Sequence, residues 1–397
     1  MEHIDVAVIG GGQSGLATAH ALLRRELRPV VLEASDRAAG SWPRYYDSLT
    51  LFSPARYSSL PGMPFPGSDR DRYPHRDEVV AYLTAYAGRL DAEIRTGCRV
   101  SAVRRTGDGF AVELEGGGRL SARAVVAASG TFGHPHRPPL PGLQEFTGQV
   151  LHAADYRSPA PFSGRRVVVV GAGNSAVQIA AELAETARVT LATRAPVKFA
   201  AQRVLGRDLH FWTARTGLDT APLGRFLARP PAQPVLDDGR YRAALAAGRP
   251  DRRAVFTGAD GAKLVWPDGQ REDVDALVLA TGYRPDVPYL VGLDGTLDAD
   301  GNPRHREGLA AGVPGLAFVG LEWQRSLSSN SLRGVGRDAE RSPGAWPPTS
   351  RTRGRTSPCI CSKRVVSSIS TQNGRMRRCC RCSSPPTVRV WRRAARR

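Results

Sequence analysis

A chain of 397 residues is long enough for two or three domains with sizeable cores. Its formal charge of +19 would ordinarily point to nucleic acid or a membrane surface, but Arg341 to Arg397 hold 14 Arg and Lys363 with no acid, so the first 340 residues carry only +4. That balance, with no apolar run near the ~20 residues that span a bilayer, argues against a nucleic-acid or membrane partner for the body of the chain.

The first residues, with Glu2 and Asp5, run straight into the apolar strand Val6 to Ile9, unlike a signal peptide. The strand leads into Gly10-Gly11-Gly12-Gln13-Ser14-Gly15, then a helical stretch, then a strand Val30 to Leu32 closed by Glu33. Next come a helical pattern over Thr84 to Leu90 and a hairpin-like stretch from Arg99 to Leu120, turning at Gly107-Asp108-Gly109 and Gly116-Gly117-Gly118. A buried strand, Ala124 to Ala128, ends in Ser129-Gly130, and Pro135 to Pro141 mark a crossing between domains. The opening device then recurs. Val167 to Val170 run into Gly171-Ala172-Gly173-Asn174-Ser175-Ala176, a helix follows, and Val189 to Thr193 end at Arg194. In both copies the terminal charge lies 23 positions after the first glycine. Ala176, Val177, Ala180, Leu183 and Ala184 share one face of the second helix at a 3.6-residue period, leaving Glu182 and Glu185 outside. A hairpin from Ala254 to Trp266, turning at Gly258 to Gly261, precedes the strand Asp275 to Ala280 and its Thr281-Gly282 ending. The strand Leu316 to Gly320 comes last, before Gly334 to Glu340, which read as the start of a helix.

Each part of the repeated unit has a task at a dinucleotide. The first glycine permits a tight strand-to-helix turn, the second lets backbone approach a pyrophosphate at the positive end of the helix, and the third small residue lets helix and strand pack closely. Gly15 and Ala176 fill that third position. A carboxylate at the end of the second strand accepts hydrogen bonds from ribose hydroxyls and repels a 2′-phosphate, whereas a guanidinium offers a planar fork of donors to phosphate. Glu33 therefore points to FAD or NAD and Arg194 to NADPH. The order of segments predicts an α/β fold of two dinucleotide-binding, Rossmann-like domains, with the NADPH domain inserted into the FAD domain. Residues 1–155 and 285–340 form the FAD domain in this reading, and residues 156–284 the NADPH domain.

Residues 341–397 contain no Leu, Phe or Tyr, and hold five of the six cysteines. Such a segment buries too little apolar surface to offset its ordering entropy, so it reads as a disordered basic tail. A reading-frame shift near residue 340 would produce this Arg, Ser, Pro and Cys mixture. Its C-x-C and C-C-x-C spacings do not match a tetrahedral zinc site, and no metal site is expected. The one cysteine elsewhere, Cys98, allows no intramolecular disulfide in the body, which fits a reducing cytosol and a cytoplasmic enzyme. No C-x-x-C pair lies beside either nucleotide motif, unlike the disulfide-reductase flavoenzymes that share the two-nucleotide plan.

The segment Phe146 to Arg157 fits F-x-G-x-x-x-H-x-x-x-Y-R through Phe146, Gly148, His152, Tyr156 and Arg157. It resembles the fingerprint of the flavin-containing monooxygenases, including their bacterial relatives and the auxin-forming plant enzymes. Gly40-Ser41-Trp42, Gly171 to Ser175, Ala280 to Tyr283, Gly320-Leu321-Glu322 and Ser329 to Gly334 match as well, so the resemblance covers residues 4 to about 340. Baeyer–Villiger relatives usually carry Trp followed by Pro or Asp where this chain has Tyr156-Arg157. The resemblance implies FAD held at Gly10, Gly12, Gln13, Ser14, Gly15, Glu33 and Trp42, and NADPH at Gly171, Gly173, Asn174, Ser175 and Arg194. It further implies hydride transfer from NADPH to FAD, addition of O2, and delivery of one oxygen from a C4a-hydroperoxyflavin to a small nitrogen or sulfur nucleophile. Animal and yeast members carry an Asn in T-N-x-P-K near the flavin; the matching place here reads Phe52-Ser53-Pro54-Ala55, so the residue that would steady the peroxide is either Ser53 or lies elsewhere, and the catalytic residue is unknown. The rival readings are oxygenation of a ketone or 2-oxo acid, an NADPH oxidase that makes peroxide, and an inactive, FAD-poor product of a damaged gene.

Overall fold

The computed structural model describes residues 2–107, 109–227 and 231–341. The tail beyond Arg341, and with it the reading of a disordered basic segment, lies outside the described residues.

Two sheets organise the described chain. In the first, β1 (Glu2–Ile9) lies between β2 (Pro29–Leu32) and a long strand, Arg119–Ala127, parallel to both. Leu316–Phe318 extends the sheet beyond Arg119–Ala127, and Glu93–Arg95 closes the other edge beside β2. Two antiparallel strands, Val100–Thr106 and Gly109–Leu114, hang from the long strand. The alternation along β1 shows why an unbroken apolar run is needed there. Val6 and Val8 enter one core with Leu16, Leu22, Val335 and Ala339, while Ala7 and Ile9 enter a second with Phe110, Leu290 and Phe318. The helix α1 (Gln13–Leu23) covers the first face together with the helix Leu332–Arg341.

The second sheet is all parallel, in the order Asp251–Ala254, Arg188–Thr193, Arg166–Val170, Ala276–Leu279, Gln149–His152. Val167 and Val169 point to one core, Val168 and Val170 to another. The helix Asn174–Leu183 covers the first of these with Ala176, Val177, Ile179, Ala180 and Leu183. Ala184 caps that helix half-buried, and Glu182 is half-buried as well, accepting a hydrogen bond rather than standing in solvent.

Three sequence expectations change. The strand Gln149–His152 pairs with Ala276–Leu279 in the second sheet, so the crossover into the inserted lobe comes before residue 149 and not after 155. The helix expected over residues 84–90 spans Arg76–Ala87; His75 and Glu78 form a capping box that starts it two turns earlier, and Val79, Tyr82, Leu83 and Tyr86 form its buried stripe. Ala254 belongs to a sheet strand rather than to a hairpin, and the local antiparallel unit is Gly258–Asp260, Lys263–Val265 and Arg271–Asp273.

Leu16 is fully buried under the first sheet. Leu16→Ala is expected to cost about 2–5 kcal/mol in urea unfolding, whereas Leu205→Ala, at a site 86% exposed, should stay within about 0.5 kcal/mol.

Candidate active site

At the end of β1 the chain turns through Gly10 with φ +108°, and a Cβ there would lie 2.6 Å from the Ala128 carbonyl oxygen. A Cβ at Gly15 would lie 1.8 Å from the Gly10 oxygen. Both positions therefore exclude any side chain. Gly12 caps α1, and no side chain satisfies the amides of its first turn, which leaves the positive helix end for an anion. Glu33 is buried and fixed: Gly11 N donates to its Oε2 at 2.6 Å, and Ser35 N and Oγ donate to Oε1 at 2.8 and 2.7 Å. Gln13 Nε2 donates to the Asn330 carbonyl at 2.7 Å, and Trp42 Nε1 donates to Gln13 Oε1 at 3.0 Å. Ser14 lies so close to Gly320 that a Cβ there would come within 2.0 Å of Ser14 Oγ.

The second cradle repeats this geometry. Gly171 has φ +147°, and its Cβ would lie 2.3 Å from the Ala280 carbonyl oxygen. Gly173 caps the helix Asn174–Leu183, again without a side-chain cap, and faces open space. Asn174 Oδ1 is buried and has no hydrogen-bond partner, an unmet acceptor in the mouth of the cradle. Arg194 is exposed and makes no ion pair among the described residues.

One cleft of about 1460 Å³ joins the two cradles, lined by Gly10, Gly12, Gln13, Ser14, Glu33 and Trp42 on one side and Gly173, Asn174 and Ser175 on the other. Gly15 and Gly171 stand behind it as packing positions, and Arg194 lies outside its lining although Ala195, Pro196 and Lys198 belong to it. An uncapped helix start, a backbone approach that a Cβ would block and a buried carboxylate fit an adenine dinucleotide in the first cradle. The same features with the open acceptor of Asn174 fit a second dinucleotide opposite it. Phe52 and Ser53 also line the cleft, and Ser53 Oγ is engaged with Ser58 Oγ at 2.9 Å.

Lys198, Gln233 and Asp286 line the cleft without having stood out in the sequence, and Glu322 and Arg333, present only within motif matches, line it too. Lys198, Gln233, Asp286 and Glu322 come from loops, and Arg333 from the first turn of the helix Leu332–Arg341. Burial raises the carboxyl pKa of Glu322 and of Asp286.

None of the five fingerprint residues lines the cleft; Phe146, Gly148 and His152 pack within the inserted lobe, while Tyr156 and Arg157 reach residues 43–47 of the first. Gly148 has room for no Cβ, which would lie 2.4 Å from the Phe146 ring. His152 is fully buried. Its Nδ1 accepts from Ala154 N at 3.1 Å, so Nε2 donates to the Gly282 carbonyl at 3.1 Å and the ring is neutral. Its edge meets Tyr283 with ring centroids 5.1 Å apart. Burial, and then Arg137, push its pKa below the ordinary value. Tyr156 donates to Glu182 Oε2 at 2.9 Å, and Arg157 reaches across to the Tyr45 carbonyl at 3.0 Å while its own carbonyl accepts from Asp47 N at 2.8 Å.

Two glycine-turn cradles on α/β sheets, facing one cleft, fit an oxidoreductase with two nucleotide sites. The chain belongs to the pyridine nucleotide-disulphide oxidoreductase family, whose model matches residues 7–214, and its relatives are flavin monooxygenases and oxidoreductases. It is 33% identical over 353 residues to an uncharacterized CzcO-like oxidoreductase of Geobacillus kaustophilus, covering 86% of this chain and 97% of that one. The indole-3-pyruvate monooxygenase YUCCA1 of Oryza sativa subsp. japonica is 32% identical over 323 residues, with 71% of this chain and 77% of that one covered. Among solved structures, the flavin-containing monooxygenase of Stenotrophomonas maltophilia superposes with a TM-score of 0.75 at 35% identity, over 86% of this chain and 97% of that chain.

The neutral, buried His152 makes stability pH-dependent. Because the folded ring binds its proton less readily than the unfolded one, its contribution is fully present above the ordinary value of 6.5 and is lost as pH falls below it. His20, His136 and His305 shift the same way. Thermal melts from pH 8 to 5 should show a midpoint falling below about pH 6.5. His152→Asn should lower the neutral-pH stability by about 1–3 kcal/mol and make that acid slope shallower without abolishing it.

Proposed function

We propose that this chain holds FAD in the first cradle and takes NADPH in the second, and uses them to insert one oxygen of O2 into a small nucleophilic nitrogen or sulfur centre. The observation that carries the reading is the pair of cradles facing one cleft with opposite charges, Glu33 and Arg194, at equivalent strand ends. Bound FAD, reduced by NADPH and reoxidised by O2, supplies the oxygen-transfer chemistry. The protein's share is placement and the exclusion of water. Glu33 accepts hydrogen bonds from ribose hydroxyls, the first-turn amides of α1 face the pyrophosphate, and Asn174 and Arg194 receive the reductant, the latter at its 2′-phosphate. The single cysteine in the first 340 residues supports a cytoplasmic setting.

A 2-oxo acid substrate is the second reading, supported by the likeness to a rice enzyme named for indole-3-pyruvate. Competition assays with amines, thioethers and 2-oxo acids decide between the two readings by the oxygenated product formed per NADPH. A yield near zero with every class, with peroxide made instead, would replace both with an NADPH oxidase.

Purified protein should show flavin absorption near about 370 and 450 nm; a spectrum without those bands, even after incubation with FAD, would leave the inactive reading standing. Arg194→Glu should lower kcat/KM for NADPH by about 10- to 100-fold, with little change for NADH, and an unchanged preference in steady-state assays would remove the phosphate role from Arg194.

A further inference from the structure

Residues 217–227 belong by sequence to the inserted lobe, yet they dock on the last stretch of the first lobe. The Asp219 carbonyl accepts from Ser328 Oγ at 2.7 Å, and the Thr220 carbonyl accepts from Arg325 Nη1 at 3.0 Å. Gly224 N donates to the Arg325 carbonyl at 2.9 Å, and a Cβ on Gly224 would lie 2.0 Å from the Trp323 carbonyl oxygen. At the centre of this contact Asp219 takes both Nε and Nη2 of Arg333, at 3.0 and 2.8 Å to Oδ1, with Nε also 3.1 Å from Oδ2. The pair is nearly buried, its side chains 8% and 13% exposed.

The third nitrogen distinguishes this pair from a simple interlobe staple. Arg333 Nη1 has no hydrogen-bond partner among the described residues, and Arg333 lines the cleft while Asp219 does not. The position matters too. Glu33 marks the ribose end of a dinucleotide in the first cradle, and the first turn of α1 marks its pyrophosphate. The remaining half of such a ligand would run on past Gln13 and Ser14, where Asn330 and Gly320 close the cradle. Arg333 follows Asn330 by three residues and lines the cleft, so on the FAD reading its charge would lie toward the redox half of the ligand.

We propose that Asp219 and Arg333 act as a pair of positioning residues that set the positive potential at the redox end of the cleft, Arg333 supplying the charge and Asp219 both aiming and attenuating it. The proposal rests on the reading that FAD occupies the first cradle. A guanidinium facing that end favours the electron-rich, reduced flavin over the oxidised one, and the carboxylate behind it offsets part of that preference. The inserted lobe, which supplies Asp219, thereby has a hold on the electronics of a cofactor bound in the other lobe.

The two partners should move the flavin midpoint potential in opposite directions. Asp219→Asn removes the offsetting charge and should raise the potential, increasing the ratio of reduced to oxidised flavin several-fold at a fixed poise. Arg333→Gln removes the attracting charge, leaves Asp219 uncompensated, and should lower the ratio by a similar factor. Arg333→Lys keeps the charge and should stay near the parent value. If Arg333→Gln does not fold, Asp219→Asn and Arg333→Lys carry the comparison. A merely structural clasp predicts loosening in both charge-removing variants, with potentials unmoved or displaced in one direction; either result, with flavin bound, overturns the inference alone. A parent protein that binds no flavin overturns the cofactor reading and the inference with it.

Discussion

The close approach of a glycine turn to the carbonyl that ends the neighbouring parallel strand governs this molecule. Gly10 against Ala128 and Gly171 against Ala280 leave no space for a Cβ, at 2.6 and 2.3 Å from the facing oxygens. That contact draws each helix start over the carboxyl ends of the strands, where its first-turn amides point outward with no side chain to cap them. An uncapped helix start costs stability unless water or a ligand meets it. The two cradles are therefore sites made by withholding the usual local satisfaction, and the buried, unmet acceptor of Asn174 is the same device in a side chain.

Once two such sites exist on separate sheets, their relative placement becomes the functional problem. The chain solves it with buried, mostly neutral hydrogen bonds. His152 joins the edge strand of the second sheet to the Gly282 linker, Tyr156 ties the segment after that strand to the second cradle's helix through Glu182 and meets Tyr46 of the first lobe, and Arg157 grips the segment beside Trp42 from the other lobe. A neutral imidazole suits this task because a buried cation there would need a partner that the Gly282 carbonyl alone does not provide. Of the five fingerprint residues, Tyr156 and Arg157 thus make the interlobe joint, against Tyr45, Tyr46 and Asp47, and Phe146, Gly148 and His152 pack behind it within the inserted lobe, set back from the cleft. Asp219, Thr220 and Gly224 make a second, charged joint to residues 325–333.

How much of this could be read from the chain alone depends on whether a feature is local. The β1 strand, its glycine turn and Glu33 are contiguous, as are their counterparts at 167–194, and each apolar run had the length and period of the element it forms. The helix Arg76–Ala87 escaped a full reading because its stripe is built from Tyr82 and Tyr86 beside Val79 and Leu83, and its start is signalled by His75, an unusual cap. The strand Gln149–His152 was assigned to the wrong lobe because four residues of β pattern carry no information about which sheet they join; pairing with Ala276–Leu279 settles that.

The sequence by itself determined the two-cradle α/β plan and the sign of the charge at each strand end, because glycine spacing, apolar period and capping act over a few residues, and the fingerprint from Phe146 to Arg157 carried the likeness to the flavin-containing monooxygenases. Only the tertiary structure decided that the fingerprint residues stand back from the cleft, that Arg194 stands outside its lining, and that Lys198, Glu322 and Arg333 stand within it. These are facts of convergence between segments tens to hundreds of residues apart, as with Asp219 and Arg333. Burial and distance arise only when the chain has closed, and no local pattern encodes them.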